Sequence, residues 1–278
     1  MKTYGRSTSF RSTALCVAGA VAFATLAAPA SAFASTTDQS DASSTVIAES
    51  LANVGNTNPA LLHDSVATGT GTTQLGSGEV SVPSALSDGV TMTGEDGDLF
   101  TIQLPNASAA GAPVALPDGT VTYPGESSAN SIVVSDLGVQ MLTTIVGADA
   151  PTDYSYEVTL DEGQTLALVD DGAAILNPDG STAVIVGDAW AVDADGANVS
   201  TSYAVEESTL TQSVDHTAAE NVAYPVVADP VWFAPAVIRC LRGIGLNAPQ
   251  ISNIIASGSP GSLSGAFAKA ALACIKGK

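Results

Sequence analysis

Asp-Gly dipeptides recur along the middle of the chain, and they restrict its fold more than any other feature. Each borders short runs rich in β-branched residues, and Asp-Gly supplies the positive φ angles that tight antiparallel turns require. Strands spaced about ten residues apart, without βαβ alternation, predict a mainly β fold built on an antiparallel β-sandwich-like module. The dipeptides are Asp88-Gly89, Asp96-Gly97, Asp118-Gly119, Asp171-Gly172, Asp179-Gly180 and Asp195-Gly196.

The segment 154–160 shows the clearest strand pattern. Tyr154, Tyr156, Val158 and Leu160 alternate with polar residues, so they share one face of an extended chain. This alternation predicts a half-buried strand. Further strands are predicted at 99–104, 132–135, 140–146, 165–169, 173–176, 183–186, 197–205, 209–214 and 222–227.

After Pro230 the apolar residues change to helical spacing, which predicts three short helices. Cys240 and Cys274 lie on the apolar stripes of the first and third helices, and they are the cysteines that remain once an N-terminal signal is removed. In an oxidising compartment such a pair indicates a disulfide. The helical stripes comprise Val237, Cys240, Leu241 and Ile244; Ile251, Ile254 and Ile255; and Leu263, Phe267, Ala271 and Cys274.

The N-terminus has the three-part pattern of a secretory signal peptide. A basic start that extends to Arg11 precedes an apolar run at 13–28, and small residues follow at Ala30-Ser31-Ala32. This run is too short for a stable transmembrane helix, which needs about 20 apolar residues. We therefore expect export, with cleavage after Ala32 or Ala34 and a secreted, extracellular mature chain.

Charge is partitioned along the chain. The 278 residues include 8 Lys+Arg and 28 Asp+Glu, for a net charge of −20, and every acid lies between Asp38 and Asp229. This acidity argues against a nucleic-acid partner. The bases outside the signal all lie in the tail, where they are candidate lipid-binding residues for an anionic membrane or cell-wall surface: Arg239, Arg242, Lys269, Lys276 and Lys278.

These patterns predict four regions. They are a signal peptide at 1–32, a flexible leader at 33–77, an acidic β module at 78–230 and a small, disulfide-closed, cationic helical module at 231–278. The leader carries one helical pattern, at 46–54. The β module is expected to fold without the helical module.

Four segments between about 131 and 230 resemble a β-rich module of secreted proteins from Gram-positive bacteria, especially actinobacteria. In that family the module is similar to non-catalytic β segments that precede variable C-terminal regions. The resemblance implies neither a catalytic residue nor a cofactor, and it does not extend to the tail. It rests on Leu160-Asp161-Glu162-Gly163-Gln164-Thr165-Leu166, Trp190-Ala191-Val192-Asp193-Ala194-Asp195-Gly196, Leu210-Thr211-Gln212-Ser213-Val214-Asp215-His216 and, most specifically, Tyr224-Pro225-Val226-Val227-Ala228-Asp229-Pro230.

The candidate chemical sites are sparse. His63 and His216 have no metal-spaced partner, and the Asp215-His216 dipeptide does not define a catalytic triad. The loop that begins at Asp193 is a weak calcium candidate, because its glycine falls at the fourth position instead of the sixth. Trp190 is expected in the core, with sugar stacking as the alternative. The acidic pairs are expected at solvated strand ends and turns: Asp161-Glu162, Asp170-Asp171 and Glu206-Glu207.

Two functions are compatible with this sequence. The first is a secreted, non-catalytic extracellular protein of binding or structural type, whose tail is a small closing module. The alternative is a secreted precursor or effector with a membrane-active or antagonistic cationic tail that the acidic body restrains. Neither is an enzyme or needs a cofactor, and the sequence does not identify a ligand.

Overall fold

The computed structural model describes residues 42–75, 78–94, 99–218, 221–233, 235–246, 250–251, 254 and 265–275. The predicted signal peptide and its cleavage sites lie outside these residues. The first described helix, α1, spans Ser44–Thr57, and the Ser43 hydroxyl caps it by accepting a hydrogen bond from the Val46 amide at 3.4 Å. Such a cap satisfies one of the backbone donors that a helix start leaves unpaired.

One antiparallel sheet of the described chain, called the front sheet, has seven strands in the order β1-β2-β3-β4-β9-β15-β14. Strand β9 comes from the segment of clear alternation, and it buries every second residue. The bounds are β1 Gly71–Leu75, β2 Gly78–Val82, β3 Val90–Gly94, β4 Leu99–Gln103, β9 Asp153–Thr159, β14 Thr201–Glu206 and β15 Thr209–Val214.

The second antiparallel sheet, called the back sheet, has the main order β10-β11-β12-β17-β8-β7-β6-β5, and β16 pairs with both β8 and β13. The bounds are β5 Val114–Ala115, β6 Val121–Tyr123, β7 Ser128–Ser135, β8 Gly138–Ile145, β10 Thr165–Val169, β11 Gly172–Leu176, β12 Thr182–Val186, β13 Ala191–Val192, β16 Val226–Ala228 and β17 Val231–Phe233.

The largest apolar core contains side chains from both sheets. It includes Tyr154 and Tyr156 of β9 together with Ile132 of β7 and Trp232 of β17, all of them buried. Side chains at alternate positions of a strand point to opposite faces, so one face of each strand supplies this core. The two antiparallel sheets and their shared core confirm a mainly β, sandwich-like fold.

Helices cover the other face of the back sheet. Val133 and Leu142 pack in a cluster with Leu51 of α1, whereas Phe233 packs in a separate cluster with Leu241 of the second helix. This second helix, α2, spans Pro235–Gly243, and α3 spans Ala266–Ile275. Because both faces of the back sheet are covered, β8 is buried along its whole length.

The structure differs from the expected boundary at Pro230. Residues 231–233 form β17, which pairs with Ile185 and Val186 of β12 on one side and with β8 on the other. Among the described strands, β17 is the one that connects β10, β11 and β12 to the rest of the back sheet. The back sheet of the β module is therefore incomplete without the residues after Pro230.

The structure also differs from the expectation of a flexible leader at 33–77. Ile47, Leu51 and Val54 recur at helical spacing and are buried, so packing against the back sheet fixes α1. β1 lies in the same region and pairs with β2. All described residues belong to one compact unit.

The disulfide prediction is confirmed. Cys240 of α2 and Cys274 of α3 are bonded, with 5.4 Å between their Cα atoms. Within the second predicted helix, the structure describes Gln250, Ile251 and Ile254, and all three are helical. The other residues of this predicted helix lie outside the described part of the chain.

Candidate functional site

The Tyr-Pro-Val-Val-Ala-Asp-Pro segment builds a polar network inside the fold. Asp229 is fully buried, and its Oδ1 accepts hydrogen bonds from the Trp190 amide at 2.9 Å, the Tyr203 hydroxyl at 3.2 Å and the Gln212 side-chain amide at 3.4 Å. Oδ2 of the same carboxyl is buried without a hydrogen-bond partner in the structure. Burial raises the pKa of Asp229 from 3.8 to about 8, because a charge is costly in an apolar interior.

A second contact joins the same segment to the end of β15. Nδ1 of His216 lies 2.8 Å from the Tyr224 hydroxyl, and its Nε2 lies 3.0 Å from the Pro151 carbonyl oxygen. Both ring nitrogens of this buried histidine are therefore engaged. Trp190, Gln212, His216, Tyr224 and Asp229 belong to three of the four segments that carry the resemblance, and the fold brings these three segments together as interior contacts.

A cavity with a volume of about 480 Å³ lies beside α1. We call it the α1 cleft. Small side chains of the helix form one wall, Val133 and Leu142 of the back sheet form another, and Leu62 and Leu116 add apolar loop contacts. The small helical residues are Ala48, Ala52 and Gly55.

Polar groups lie at the rim of the α1 cleft. They include His63, Asp64 and Asp118, and the Asp118 carboxylate accepts a hydrogen bond from the Thr120 amide at 3.0 Å. Burial lowers the pKa of His63, and the nearby Asp64 opposes this shift. A neutral imidazole at the rim can donate or accept a hydrogen bond.

The buried Gln140 fixes the loop that carries His63. Its side-chain amide donates to the Leu61 carbonyl at 2.7 Å, and its Oε1 accepts from the His63 backbone amide at 3.2 Å. Nδ1 of His63 also lies 3.3 Å from the Ser135 hydroxyl. These contacts fix the loop at one end of the α1 cleft. A ligand that binds there would therefore not have to order this loop, which would cost free energy.

The calcium candidate at Asp193 has a different role in the structure. Oδ1 accepts hydrogen bonds from the backbone amides of Asp195 and Ala197, and Oδ2 accepts one from Ala223. Both carboxylate oxygens therefore close the loop and join it to the chain before Tyr224. Within the described residues, no group of three His, Cys, Asp or Glu side chains is arranged to hold a metal ion.

The other predicted sites are dispersed. Trp190 is half-buried, and the residues of the three acidic pairs are exposed. Of the candidate lipid-binding residues, Arg239 and Lys269 are exposed, Arg242 is half-buried, and Lys276 and Lys278 lie outside the described residues. None of the helices among the described residues is long and apolar enough to span a bilayer.

Comparisons with models of known families, with curated proteins and with solved structures gave no match. Function is therefore inferred from the geometry of this chain. The sequence did not predict the α1 cleft, because its walls come from distant segments. The sequence indicated Asp229 only as one residue of the Tyr-Pro-Val-Val-Ala-Asp-Pro motif, without indicating that its carboxyl is buried.

Proposed function

We propose that the protein is an exported, non-catalytic binding protein that holds a small, mainly apolar molecule in the α1 cleft. The observation that carries this proposal is the cleft itself. Its volume of about 480 Å³ falls within the range of about 300–1,000 Å³ that is typical of small-molecule sites. Its walls are chiefly apolar, with a few polar groups at the rim, which is the usual composition of such sites.

The charge of the protein narrows the class of ligand. Asp64 and Asp118 lie at the cleft, and the whole chain carries a net charge of −20. An anionic ligand would be repelled, whereas a neutral one would not. The ligand we propose is an uncharged molecule with an apolar body and one polar group that bonds near His63.

The tail has a closing role in this proposal. Trp232, Phe233, Ile238 and Leu241 are all buried, and each such side chain contributes about 1.5–3 kcal/mol relative to exposure. Together they contribute on the order of 10 kcal/mol, which is comparable to the stability of an entire domain. Release of the tail would lose this stabilisation. The burial of these four side chains therefore favours the closing role over the restrained-effector alternative.

A neutral fluorescent probe tests binding in the α1 cleft. We expect N-phenyl-1-naphthylamine to bind saturably to the mature protein, with an increase in its fluorescence. Ala52→Phe places a phenyl group at the cleft wall and should weaken binding about tenfold, since it occupies the site. Asn56→Phe adds a phenyl group at another exposed position of α1 and serves as the matched control.

The result that would contradict the proposal is equal binding by the two variants and the unsubstituted protein, or no saturable binding at all.

Mass spectrometry of secreted protein tests the role of the tail separately. We expect one mature species that retains the tail. A separate fragment beginning near Asp229 or Val231 would instead favour the effector alternative.

A further inference from the structure

His63 also lines a second cavity, whose wall combines carboxylates with aromatic rings. Its volume is about 160 Å³, below the range of sites for drug-sized ligands. We call it the Asp229 pocket. The residues that matter for its chemistry are His63, Asp188, Trp190, Asp229 and Phe233.

Asp229 forms part of this wall, although it is 0 % exposed to solvent. Its hydrogen-bond partners at Oδ1 are neutral groups, and Oδ2 has no partner in the structure. The ionised form of this carboxyl is costly because it is buried without a cationic partner, so a positive charge beside it would stabilise that form more than a charge at the surface would.

Further negative charge gathers near the pocket. The pKa of Asp188 is raised by burial and by the neighbouring carboxylates Asp171 and Asp170. The pKa of His63 is lowered by burial, so its imidazole is neutral at neutral pH and adds no opposing charge. These groups create a negative potential at the pocket, which attracts a cation.

The nature of the walls distinguishes an organic cation from a metal ion. The described residues do not provide a group of three His, Cys, Asp or Glu side chains that could hold a metal. The pocket instead offers the rings of Trp190 and Phe233, together with Val231. Aromatic rings beside carboxylates favour alkylated ammonium groups, through cation–π attraction and apolar contact.

We propose that the Asp229 pocket binds a small organic ammonium ion, with Asp188 and Asp229 supplying the negative charge and Trp190 and Phe233 the aromatic walls. Of the residues that line the two cavities, His63 alone is shared. Asp188 and Asp229 line only the second cavity, so their variants test this proposal separately from the outcome at the α1 cleft.

The protonation of Asp229 gives the site a distinctive pH dependence. Asp229 holds its proton up to a pH of about 8, so a cation that binds its ionised form must displace that proton. Asp188 lies at the pocket, and Tyr203 and Tyr156 lie near Asp229. Burial raises the pKa of both tyrosines and lowers that of His63, and comparison with Asp229→Asn isolates the part of the pH dependence that comes from Asp229.

Choline and its uncharged isostere 3,3-dimethylbutan-1-ol provide the direct comparison by isothermal titration calorimetry. We expect choline to bind at least about tenfold more tightly at pH 8, with an affinity that rises by up to about tenfold per pH unit between 6 and 8. Magnesium and calcium chlorides at the same ionic strength should not compete beyond the effect of salt.

Variants locate the site. Asp188→Asn should weaken choline binding about fivefold or more, whereas Glu157→Gln makes the same charge change at an exposed position of β9 and should alter it less than twofold. Asp229→Asn should abolish the pH dependence between 6 and 8.

Equal affinity for choline and its uncharged isostere would overturn the proposal. So would equal losses in Asp188→Asn and Glu157→Gln, since they would indicate nonspecific attraction to the acidic surface. Absence of saturable choline binding at millimolar concentrations would also overturn it. Asp188 is exposed to solvent, although its surroundings partly desolvate the carboxyl group. Its variant therefore keeps the proposal testable even if substitution at Asp229 prevents folding.

Discussion

The protonation of Asp229 should make the stability of this protein depend strongly on pH. Its pKa is raised from 3.8 to about 8 in the fold, so the folded state keeps a proton that the unfolded state has lost. Stability therefore falls as pH rises from about 4 to about 8, and levels off above that. Each pH unit in this window is worth about 1.4 kcal/mol, so the contribution lost between pH 5 and pH 8 is on the order of 4 kcal/mol.

Asp229→Asn removes this titration while it nearly preserves the shape of the side chain. The amide oxygen can accept the bonds that Oδ1 now accepts, and the amide nitrogen replaces an oxygen that has no partner. The unpaired donor costs about 1–3 kcal/mol, but a protonated carboxyl at the same place has an unpaired donor too. We therefore expect the two proteins to have similar stability below about pH 4, and the variant to be more stable by about 1–2 kcal/mol at pH 5 and by several kcal/mol at pH 8.

Urea unfolding at a series of pH values measures this difference. Trp232 is fully buried in the core between the sheets, so its fluorescence reports on unfolding. The other carboxyl groups are common to both proteins, and their titration cancels in the difference between them. A difference that stays constant within about 0.5 kcal/mol from pH 5 to pH 8 would refute the argument that folding holds a proton on Asp229.

The remaining predictions concern the backbone and the tail. Gly55→Ala should stabilise the protein by about 0.5–1 kcal/mol in urea unfolding, because the added methyl group meets only Leu62 Cδ1 at 3.9 Å and alanine favours helix. Gly196→Ala should destabilise it by at least about 1 kcal/mol, because φ is +78° and the new Cβ would lie 2.8 Å from the Thr57 Cβ. Replacement of both Cys240 and Cys274 by Ser should cost about 3–4 kcal/mol and lower the thermal midpoint, since the bond spans 34 residues. A chain that ends at Pro230 lacks β17, which joins β10–β12 to the rest of the back sheet. Limited proteolysis should therefore cut this chain within β10–β12. Resistance to cleavage there would contradict the role of β17 in holding these strands.

Local patterns predicted much of the fold. The alternation of Tyr154, Tyr156 and Val158 marks β9, in which all three are buried. The Asp171-Gly172 dipeptide lies where β10 turns into β11. Cys240 and Cys274 lie on α2 and α3, and the predicted bond between them is present. The strand and the turn are determined by residues close together in the sequence, whereas the disulfide was predicted because two cysteines remain after the predicted signal peptide.

The parts that the sequence did not predict depend on distant contacts. Strand β17 has only three residues, too few to show alternation in the sequence. It nevertheless lies between β12 and β8 of the back sheet, both of them distant in the sequence. Asp229 next to Pro230 has the composition of a turn, and only the fold shows that its carboxyl is buried. The α1 cleft needs a helix from one end of the chain beside loops and strands from its middle, so no local pattern reports it.

Native-state hydrogen exchange of β17 tests most directly whether the tail is an integral part of the binding protein. Amides of β17 and of its partner β8 form hydrogen bonds within one covered sheet, so we expect them to exchange through the same slow, global opening. Similar protection in Val231–Phe233 and in the β7–β8 pair would support the closing role of the tail. Exchange in β17 and α2 that is orders of magnitude faster than in β7–β8 would contradict it, because the tail would then open on its own as a releasable segment.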